Sequence, residues 1–260
     1  MAGRVDGAVI ALLALVGFGS SFIDSQVGGG GVISLPALLL AGLPSKMALG
    51  TNKLGGTASA LVASSNYLHK GAVPVRHALI FAPLAFVGGA VGVWAVLHSD
   101  ATWLVPAVIV VMAAMAVYVL VRPRFGAEDT LAPGLLPAVA MGLAALDIGT
   151  YDGILGPGTG SMAIFALVGL LGYGFRRAAA LGRVLNLASN VSALGYWIWA
   201  GQVDWQVGIP MAAAMGLGGY VGSHTTLRHG EKVVKPLFEA ITLMLLVSLA
   251  YRFAHGQAWV

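Results

Sequence analysis

The sequence predicts an all-α integral membrane protein with about eight transmembrane helices in two inverted repeats, each containing a glycine-broken re-entrant or half-helix segment. The first observation behind this prediction is composition: 58% of the 260 residues are hydrophobic and only 9% are charged, whereas a soluble domain has about 25% charged residues. The second is a series of long uncharged stretches, and the third is a pair of glycine-rich segments at matching places in the two halves. A chain with so few charges cannot cover a water-facing surface.

The predicted membrane spans follow from the length of the uncharged stretches. A helix needs about 20 apolar residues to cross a hydrocarbon core about 30 Å thick. Residues 45–67 form one more polar candidate, and seven stretches with little or no charge complete the set of eight: 7–23, 78–97, 101–121, 131–146, 185–203, 205–227 and 236–251. The short alternating segments of an outer-membrane barrel are absent from this sequence, so we predict a helical bundle.

Several classes of function are excluded by what the sequence lacks. It contains no cysteine, and therefore no disulfide, cysteine-ligated zinc or thiol catalysis. It also contains no P-loop, HExxH or GxSG motif, so we expect no enzyme activity, no metal and no cofactor. The net charge of +4 is better explained by the topology of the loops than by a nucleic-acid partner.

The chain divides into two matching halves around its longest polar interruption, the loop at 122–134. Asp24, which is followed by VGGGG, parallels Asp152, which is followed by LGPGTG. Two shorter matches keep nearly the same spacing: ALG at 48–50 and 180–182, and KGAV and AGQV at 70–73 and 200–203. Matches in the same order indicate a duplicated unit. We therefore predict a first transmembrane repeat at 1–121 and a second at 135–260.

The distribution of basic residues orients the repeats. If each glycine segment and its flanking helices form a hairpin that enters and leaves on the same side, ten basic residues fall on or near one face and three on the other. This agrees with the enrichment of cytoplasmic loops in Lys and Arg. The ten are Lys70, Arg76, Arg122, Arg124, Arg176, Arg177, Arg183, Arg228, Lys232 and Lys235, and the three are Arg4, Lys46 and Arg252. Each repeat then has an odd number of full crossings, so the repeats are inverted, as in many secondary transporters.

Each glycine segment leads into a short helix, predicted at about 32–42 and 160–171, which is about half a bilayer long. Irregular backbone at membrane depth is tolerated only within protein or beside a watery cavity. A helix that begins there presents unpaired N–H groups and the positive end of its dipole, which attract an anion. The alternative is that the glycines only allow close helix packing. The candidate anion-binding residues of these segments are Gly28, Gly29, Gly30, Gly31, Gly156, Gly158, Thr159 and Gly160.

The helix after each glycine segment carries a cation well inside a predicted span. Lys53 and Arg183 occupy matching places in the two repeats. Because a lone cation in the bilayer costs about 3 kcal/mol, each requires a partner. One hypothesis is that both face a central cavity and hold an anion together with Thr51, Asn52, Asn186 and Asn190. The alternative is that both side chains snorkel to the membrane interface.

Three acidic residues lie near the glycine segments: Asp24, Asp147 and Asp152. Each is a candidate proton carrier or a partner for Lys53 or Arg183. The alternative for each is a helix-capping or surface role.

Four stretches carry a family resemblance: GGGGVISLPALLLAGLPSKMALGTNKL, SSNYLHKGAV, YDGILGPGTGSM and FALVGLLGYGFRRAAALGRVLNLASNVSALGYW. They resemble the sulfite exporter TauE/SafE family over both repeats, with GTNKL and YDGILGPGTGS the most specific pieces. The resemblance implies a polytopic inner-membrane permease for sulfur-containing oxyanions such as sulfite or organosulfonates, working without an ATPase partner. By position it carries over Gly28–Gly31, Thr51, Asn52, Lys53, Asp152, Gly156, Gly158, Gly160, Asn186 and Asn190. TNK has no literal copy in the second half, where GRVLN stands instead.

These inferences together predict a multi-pass transporter of the inner membrane that moves a small sulfur-containing oxyanion by alternating access. The expected partners are a small inorganic or organic anion and the lipid bilayer, without nucleic acid, and a homodimer remains open. Two alternatives also remain open, namely a passive anion channel and a permease for another small anion such as a carboxylate.

Overall fold

The computed structural model describes residues 6–28, 30–98, 128–131, 134–156, 158–229 and 236, and this part of the chain is built from α-helices and the turns between them. Eight helices are described: α1 (Gly7–Val27), α2 (Gly31–Leu40), α3 (Ser45–His69), α4 (Val75–His98), α5 (Leu135–Ile154), α6 (Thr159–Leu171), α7 (Phe175–Trp199) and α8 (Trp205–His229). The all-α membrane class is confirmed. The predicted spans at 101–121 and 236–251 lie outside the described residues, apart from Pro236.

The described helices differ in how apolar they are. Three of them, α1, α4 and α5, are long and apolar enough to cross a membrane. Helices α3, α7 and α8 are each 25 residues long and carry more polar side chains. Helix α5 continues to Ile154 and α7 begins at Phe175, beyond the predicted spans 131–146 and 185–203. The predicted spans stop short at the charges Asp147 and Arg183, but neither charge ends its helix: Asp147 lies exposed within α5, and Arg183 is buried within α7.

Glycine contacts show that α1 and α8 run parallel. A Cβ atom added to Gly218 would overlap the backbone of Phe18, and one added to Gly222 would overlap the backbone of Phe22. Moving four residues along one helix therefore moves the contact four residues along the other. The absence of a side chain at Gly218 and Gly222 allows the two backbones to approach closely.

The same contact recurs between α4 and α5, where Gly88 lies against Leu146 and Gly92 lies against Thr150. The shift in residue number that aligns Lys53 with Arg183 also aligns Gly88 with Gly218 and Gly92 with Gly222. The shift that aligns Asp24 with Asp152 likewise aligns the contact partners of these glycines: Phe18 of α1 with Leu146 of α5, and Phe22 with Thr150. The two halves of the chain therefore use equivalent residues to make equivalent helix pairs.

The remaining contacts fix the relative directions of the two halves. Helix α3 runs parallel to α8, because Thr51 lies near Gly208 and Asn66 bonds Ser223. Helices α3 and α7 are antiparallel: Gly56 lies near Asn190, whereas Ser59 accepts a bond from the earlier residue Arg183. Helix α7 in turn runs parallel to α4, because Gly89 lies near Ser189 and Val93 clusters with Ala193. Helices α1, α3 and α8 therefore run one way and α4, α5 and α7 the other, which is the inverted arrangement predicted. The proposed boundaries of the repeats remain a prediction, because 99–127 lie outside the described residues.

Helices α1 and α2 form a re-entrant hairpin. Helix α2 has 10 residues and is thus about 15 Å long. Leu35 and Leu38 of α2 belong to one apolar cluster with Leu13 of α1 and Leu43. The partly buried Val9, near the start of α1, packs against this cluster. The chain therefore returns from the glycine turn toward the end of the bundle where α1 begins, and α3 then crosses in the same direction as α1. The short helices predicted after the glycine segments are observed at Gly31–Leu40 and Thr159–Leu171.

Two large aromatic side chains are fully buried at matching positions. Tyr67 near the end of α3 and Trp197 near the end of α7 are both 0% exposed, and the shift that aligns Lys53 with Arg183 aligns them as well. Their apolar clusters also correspond under this shift, with Ala63 and Val73 around Tyr67 and Ala193 and Val203 around Trp197. Because α3 and α7 are antiparallel, the two aromatics lie toward opposite ends of the bundle.

Candidate functional site

The two glycine turns meet inside the bundle. Gly28 ends α1 in the left-handed conformation (φ 78°), and its N–H donates to the carbonyl of Asp24 at 2.7 Å. Gly158 precedes α6 with φ 86°. A Cβ atom at Gly28 would overlap the backbone of Gly160, so close contact and a positive φ both favour glycine there. The Ser161 hydroxyl donates to the carbonyl of Val27 at 2.7 Å and links the two turns.

A buried ion pair joins α3 to the end of α5. Lys53 Nζ lies 2.9 Å from Asp152 Oδ1, and the two side chains are 4% and 2% exposed. Four further donors reach the Asp152 carboxylate: the Ser189 hydroxyl at 2.6 Å, the Thr159 hydroxyl at 2.9 Å, and the amides of Asn190 at 3.1 Å and Asn186 at 3.4 Å. Asp152 is therefore held by five donors from α3, α6 and α7.

A second buried ion pair joins α7 to the end of α1. Arg183 Nη1 lies 2.7 Å from Asp24 Oδ2, and the two side chains are 3% and 15% exposed. Arg183 Nη2 donates to the Ser59 hydroxyl at 3.1 Å, and the backbone N–H of Gly30 donates to Asp24 Oδ1 at 3.0 Å. Arg183 Nε is buried and has no hydrogen-bond partner among the described residues.

The two ion pairs cross between the predicted repeats. Asp24 of the first repeat pairs with Arg183 of the second. Lys53 of the first repeat pairs with Asp152 of the second. Snorkelling to the interface is not observed for either cation, because Lys53 and Arg183 are only 4% and 2% exposed. The third acidic candidate, Asp147, is exposed on α5. With two positive and two negative charges, the cluster is neutral as a whole, which limits the cost of holding charge inside the bundle.

A small polar cavity lies between the ion pairs. Its free volume is about 30 Å³, which is room for one or two water molecules, so an anion with several heavy atoms requires the cluster to open. Of the predicted residues, the cavity brings together Asp24, Gly31, Asn52, Lys53, Asp152, Gly156, Thr159, Gly160, Asn186 and Asn190. Gly28, Gly30, Gly158 and Arg183 belong to the turns and ion pairs around it, and Gly29 lies outside the described residues.

One predicted residue has a different role, and several contacts were not predicted. The Thr51 hydroxyl accepts a hydrogen bond from the backbone N–H of Asp204 at 3.0 Å and does not line the cavity. Ser34, which was not predicted, lines the cavity and donates to Asn52 Oδ1 at 2.6 Å. Ser59, the partner of Arg183, was also missed. Ser189, which donates to Asp152, was missed as well. The shift that aligns Lys53 with Arg183 also aligns Ser59 with Ser189, so the two serines form a matched pair, and this match was the signal that could have found them.

The donors of this cluster suit an oxyanion better than a metal. No group of three or more His, Asp or Glu side chains comes together in the part of the chain that the structure describes. Ammonium, guanidinium, amide and hydroxyl groups all donate hydrogen bonds to oxygen atoms. In the present conformation the two carboxylates lie directly beside the two cations.

Comparisons with known proteins agree with this architecture. Residues 13–249 match the model of the family described as sulfite exporter TauE/SafE. A probable membrane transporter protein of Haemophilus influenzae is 36% identical over 252 residues, covering 96% of each chain. The probable membrane transporter protein ORF9 of a Sinorhizobium species is 35% identical, covering 93% of this chain and 92% of its own, and the probable membrane transporter protein YfcA of Escherichia coli K12 is 31% identical, covering 97% and 93%. No solved structure matches the chain.

The family match covers well over half of the chain, and the relatives align over nearly their full length. The names of these relatives describe probable membrane transporters and name no substrate. The chain belongs to the sulfite exporter TauE/SafE family.

Proposed function

We propose that this protein is a secondary transporter that moves a small sulfur-containing oxyanion, such as sulfite or an organosulfonate, across the inner membrane by alternating access. The observation that carries the proposal is the pair of buried cations, Lys53 and Arg183, which the two halves place beside the meeting glycine turns. The family supports a permease, and its name supports the choice of sulfur oxyanions.

The groups around the cavity provide a binding site for such an anion. The Lys53 ammonium has three donors, of which one is directed at Asp152, so the others are available to a ligand in the cavity. Asn186, Asn190 and Thr159 line the same space. In this conformation they donate to Asp152, so they reach an anion only when the cluster opens. A pyramidal or tetrahedral oxyanion accepts hydrogen bonds in several directions at once, which this arrangement supplies.

The inverted halves support alternating access. When two halves are related by inversion, each can adopt the conformation of the other, and the site then opens to the opposite side. Tyr67 and Trp197 are buried at opposite ends of the bundle and are suited to close the two access routes in turn. Lys70, Arg76, Arg176 and Arg228 lie where α3 ends, α4 and α7 begin and α8 ends, which is one end of the bundle. The positive-inside rule makes that end cytoplasmic.

The small size of the cavity favours a carrier over an open channel. Counterflow in liposomes containing the purified protein tests this choice. Vesicles loaded with unlabelled sulfite should accumulate radiolabelled sulfite transiently and saturably, because a carrier exchanges one anion for another. An open channel would equilibrate the label without overshoot or saturation.

Competition in the same vesicles tests the substrate class. Sulfate, thiosulfate, sulfoacetate and acetate are added in turn outside vesicles loaded with sulfite. We expect the sulfur oxyanions to compete and acetate not to. If acetate competes as well as sulfite, the protein is a permease for a broader class of anions, and the sulfur-oxyanion proposal is wrong.

A further inference from the structure

The neutrality of the four-charge cluster restricts what else can enter it. Lys53 and Arg183 balance Asp152 and Asp24. A monovalent anion added to this cluster leaves one uncompensated negative charge inside the membrane, where unpaired charge is costly. Binding therefore requires a compensating positive charge to arrive with the anion, and a proton on one of the two carboxylates supplies it.

The two carboxylates differ in how completely their oxygens are occupied. Asp152 is 1% exposed and accepts hydrogen bonds from five donors. The side chain of Asp24 is 15% exposed, lines the cavity, and accepts from two donors, the Arg183 guanidinium and the N–H of Gly30. Protonating Asp152 would disrupt a crowded set of contacts, whereas Asp24 has an accessible carboxylate and would lose mainly the bond to Arg183.

We propose that Asp24 is the proton-binding site of the transporter and takes up one proton for each monovalent anion that binds; this rests on the proposed function. The step is balanced in charge. The Asp24 carboxylate becomes a neutral carboxyl group, Arg183 loses its counter-charge, and the anion replaces it; release of the anion reverses all three changes. Arg183 Nε, which has no partner among the described residues, adds a donor that the released guanidinium can direct toward the anion.

The other charged and titratable groups around Asp24 leave this assignment intact. Helices α2 and α6 contain no titratable side chain. The remaining elements contribute Lys53 and Tyr67 on α3, Asp152 on α5, Arg183 on α7, and His224 on α8. Lys53 and Asp152 neutralise each other, the Tyr67 hydroxyl donates to the carbonyl of Ser25, and His224 stacks on the half-exposed Tyr220. Arg183 is therefore the charge whose balance a proton on Asp24 changes.

Calorimetry of sulfite binding tests the proposal. Titrations of the purified protein in buffers of different ionisation enthalpy give the number of protons exchanged for each sulfite bound. Sulfite itself exchanges protons near neutral pH, so the informative quantity is the difference between variants. We expect the wild type to take up about one proton more than Asp24→Asn, and Asp24→Glu to restore the wild-type count. Asp147→Asn, which alters an exposed acid on α5, is the matched control and should equal the wild type.

The pH dependence of affinity provides a second readout. If binding takes up one proton more in the wild type than in Asp24→Asn, the sulfite affinity of the wild type should fall more steeply as the pH rises, by up to about tenfold per pH unit relative to the variant. Equal proton counts in the wild type and Asp24→Asn would overturn the assignment of Asp24 while leaving the proposed transport intact.

Folding of the variant is checked separately. If Asp24→Asn does not fold, the wild type is titrated with methanesulfonate, which stays ionised near neutral pH. Uptake of about one proton then supports the proposal, and uptake of none overturns it. Failure of both sulfite and methanesulfonate to bind the wild type overturns the proposed function together with this inference.

Discussion

The two ion pairs occupy corresponding places in the two halves, yet their surroundings differ. The pair formed by Lys53 and Asp152 is enclosed by hydroxyl and amide donors, whereas the pair formed by Arg183 and Asp24 has fewer partners and a more exposed acid. Duplication therefore preserved the backbone framework and the positions of the charges, while the neighbouring side chains diverged. The difference indicates that the Lys53–Asp152 pair holds the site together and that the Arg183–Asp24 pair can open.

The largest expected difference between the pairs concerns the two acids. Asp152→Ala leaves Lys53 buried without its counter-charge and removes the acceptor for four other donors, so we expect a loss of about 3–5 kcal/mol in the free energy of unfolding. Asp24→Ala should cost less, because Arg183 retains Ser59 and the backbone carbonyl of Asp24. Thermal and denaturant unfolding in detergent measures both variants. Equal losses would contradict the division into a holding pair and an opening pair.

The corresponding glycines Gly28 and Gly156 give the next contrast. Both have positive φ, so alanine strains either turn by about 1–2 kcal/mol. At Gly28 the new methyl group would also overlap the backbone of Gly160, whereas at Gly156 its nearest neighbours are the Lys53 ammonium at 3.2 Å and the Asp152 carboxylate at 3.4 Å. We therefore expect Gly28→Ala to destabilise the protein more, measured as the shift in melting temperature.

A helical glycine in α1 provides the control for this contrast. Nothing lies within 4 Å of a Cβ atom at Gly19. Gly19→Ala should be neutral or stabilise the helix by up to about 1 kcal/mol. A loss at Gly19 as large as that at Gly28 would show that the close approach of the turns is not the cause.

Three serines provide the last contrast between the pairs. Ser189→Ala removes a hydrogen bond to the Asp152 carboxylate and should cost about 1.5–3 kcal/mol. Ser59→Ala removes one contact of the less enclosed pair and should cost about 1 kcal/mol. Ser64 is buried, and its hydroxyl has no partner among the described residues, so Ser64→Ala should cost nothing. Unfolding measurements that reverse the order of Ser189 and Ser59 would show that Asp24 is the more firmly held acid.

Much of this architecture follows from local sequence. Low charge and long apolar stretches establish the membrane class, and the glycine segments locate the turns between α1 and α2 and between α5 and α6. The matched positions of Lys53 and Arg183 indicate one shared site because a buried cation requires a partner. These inferences succeed because each depends on composition or on the spacing of residues along one helix.

The pairing of the charges could not be obtained in this way. Which acid reaches Lys53 depends on how far each re-entrant hairpin extends into the bundle, and this is decided by contacts such as Gly28 against Gly160, whose positions lie in different halves of the chain. The repeat match favours Asp152 over Asp147, because Asp152 corresponds to Asp24, but it does not show which cation either acid reaches. Their five-residue separation on α5 places them on different sides of the helix, so the packing of α5 buries one and exposes the other.

The most direct test of the central claim is the affinity of the purified protein for sulfite when Lys53 is changed. Asp152 retains four other donors in Lys53→Gln, so the variant should fold, and we predict that its sulfite affinity falls about tenfold or more, as expected for the loss of a charged hydrogen-bond donor. Lys46→Gln alters an exposed lysine on the same helix and should bind sulfite like the wild type. Wild-type affinity in Lys53→Gln would contradict an anion site built around the buried cations.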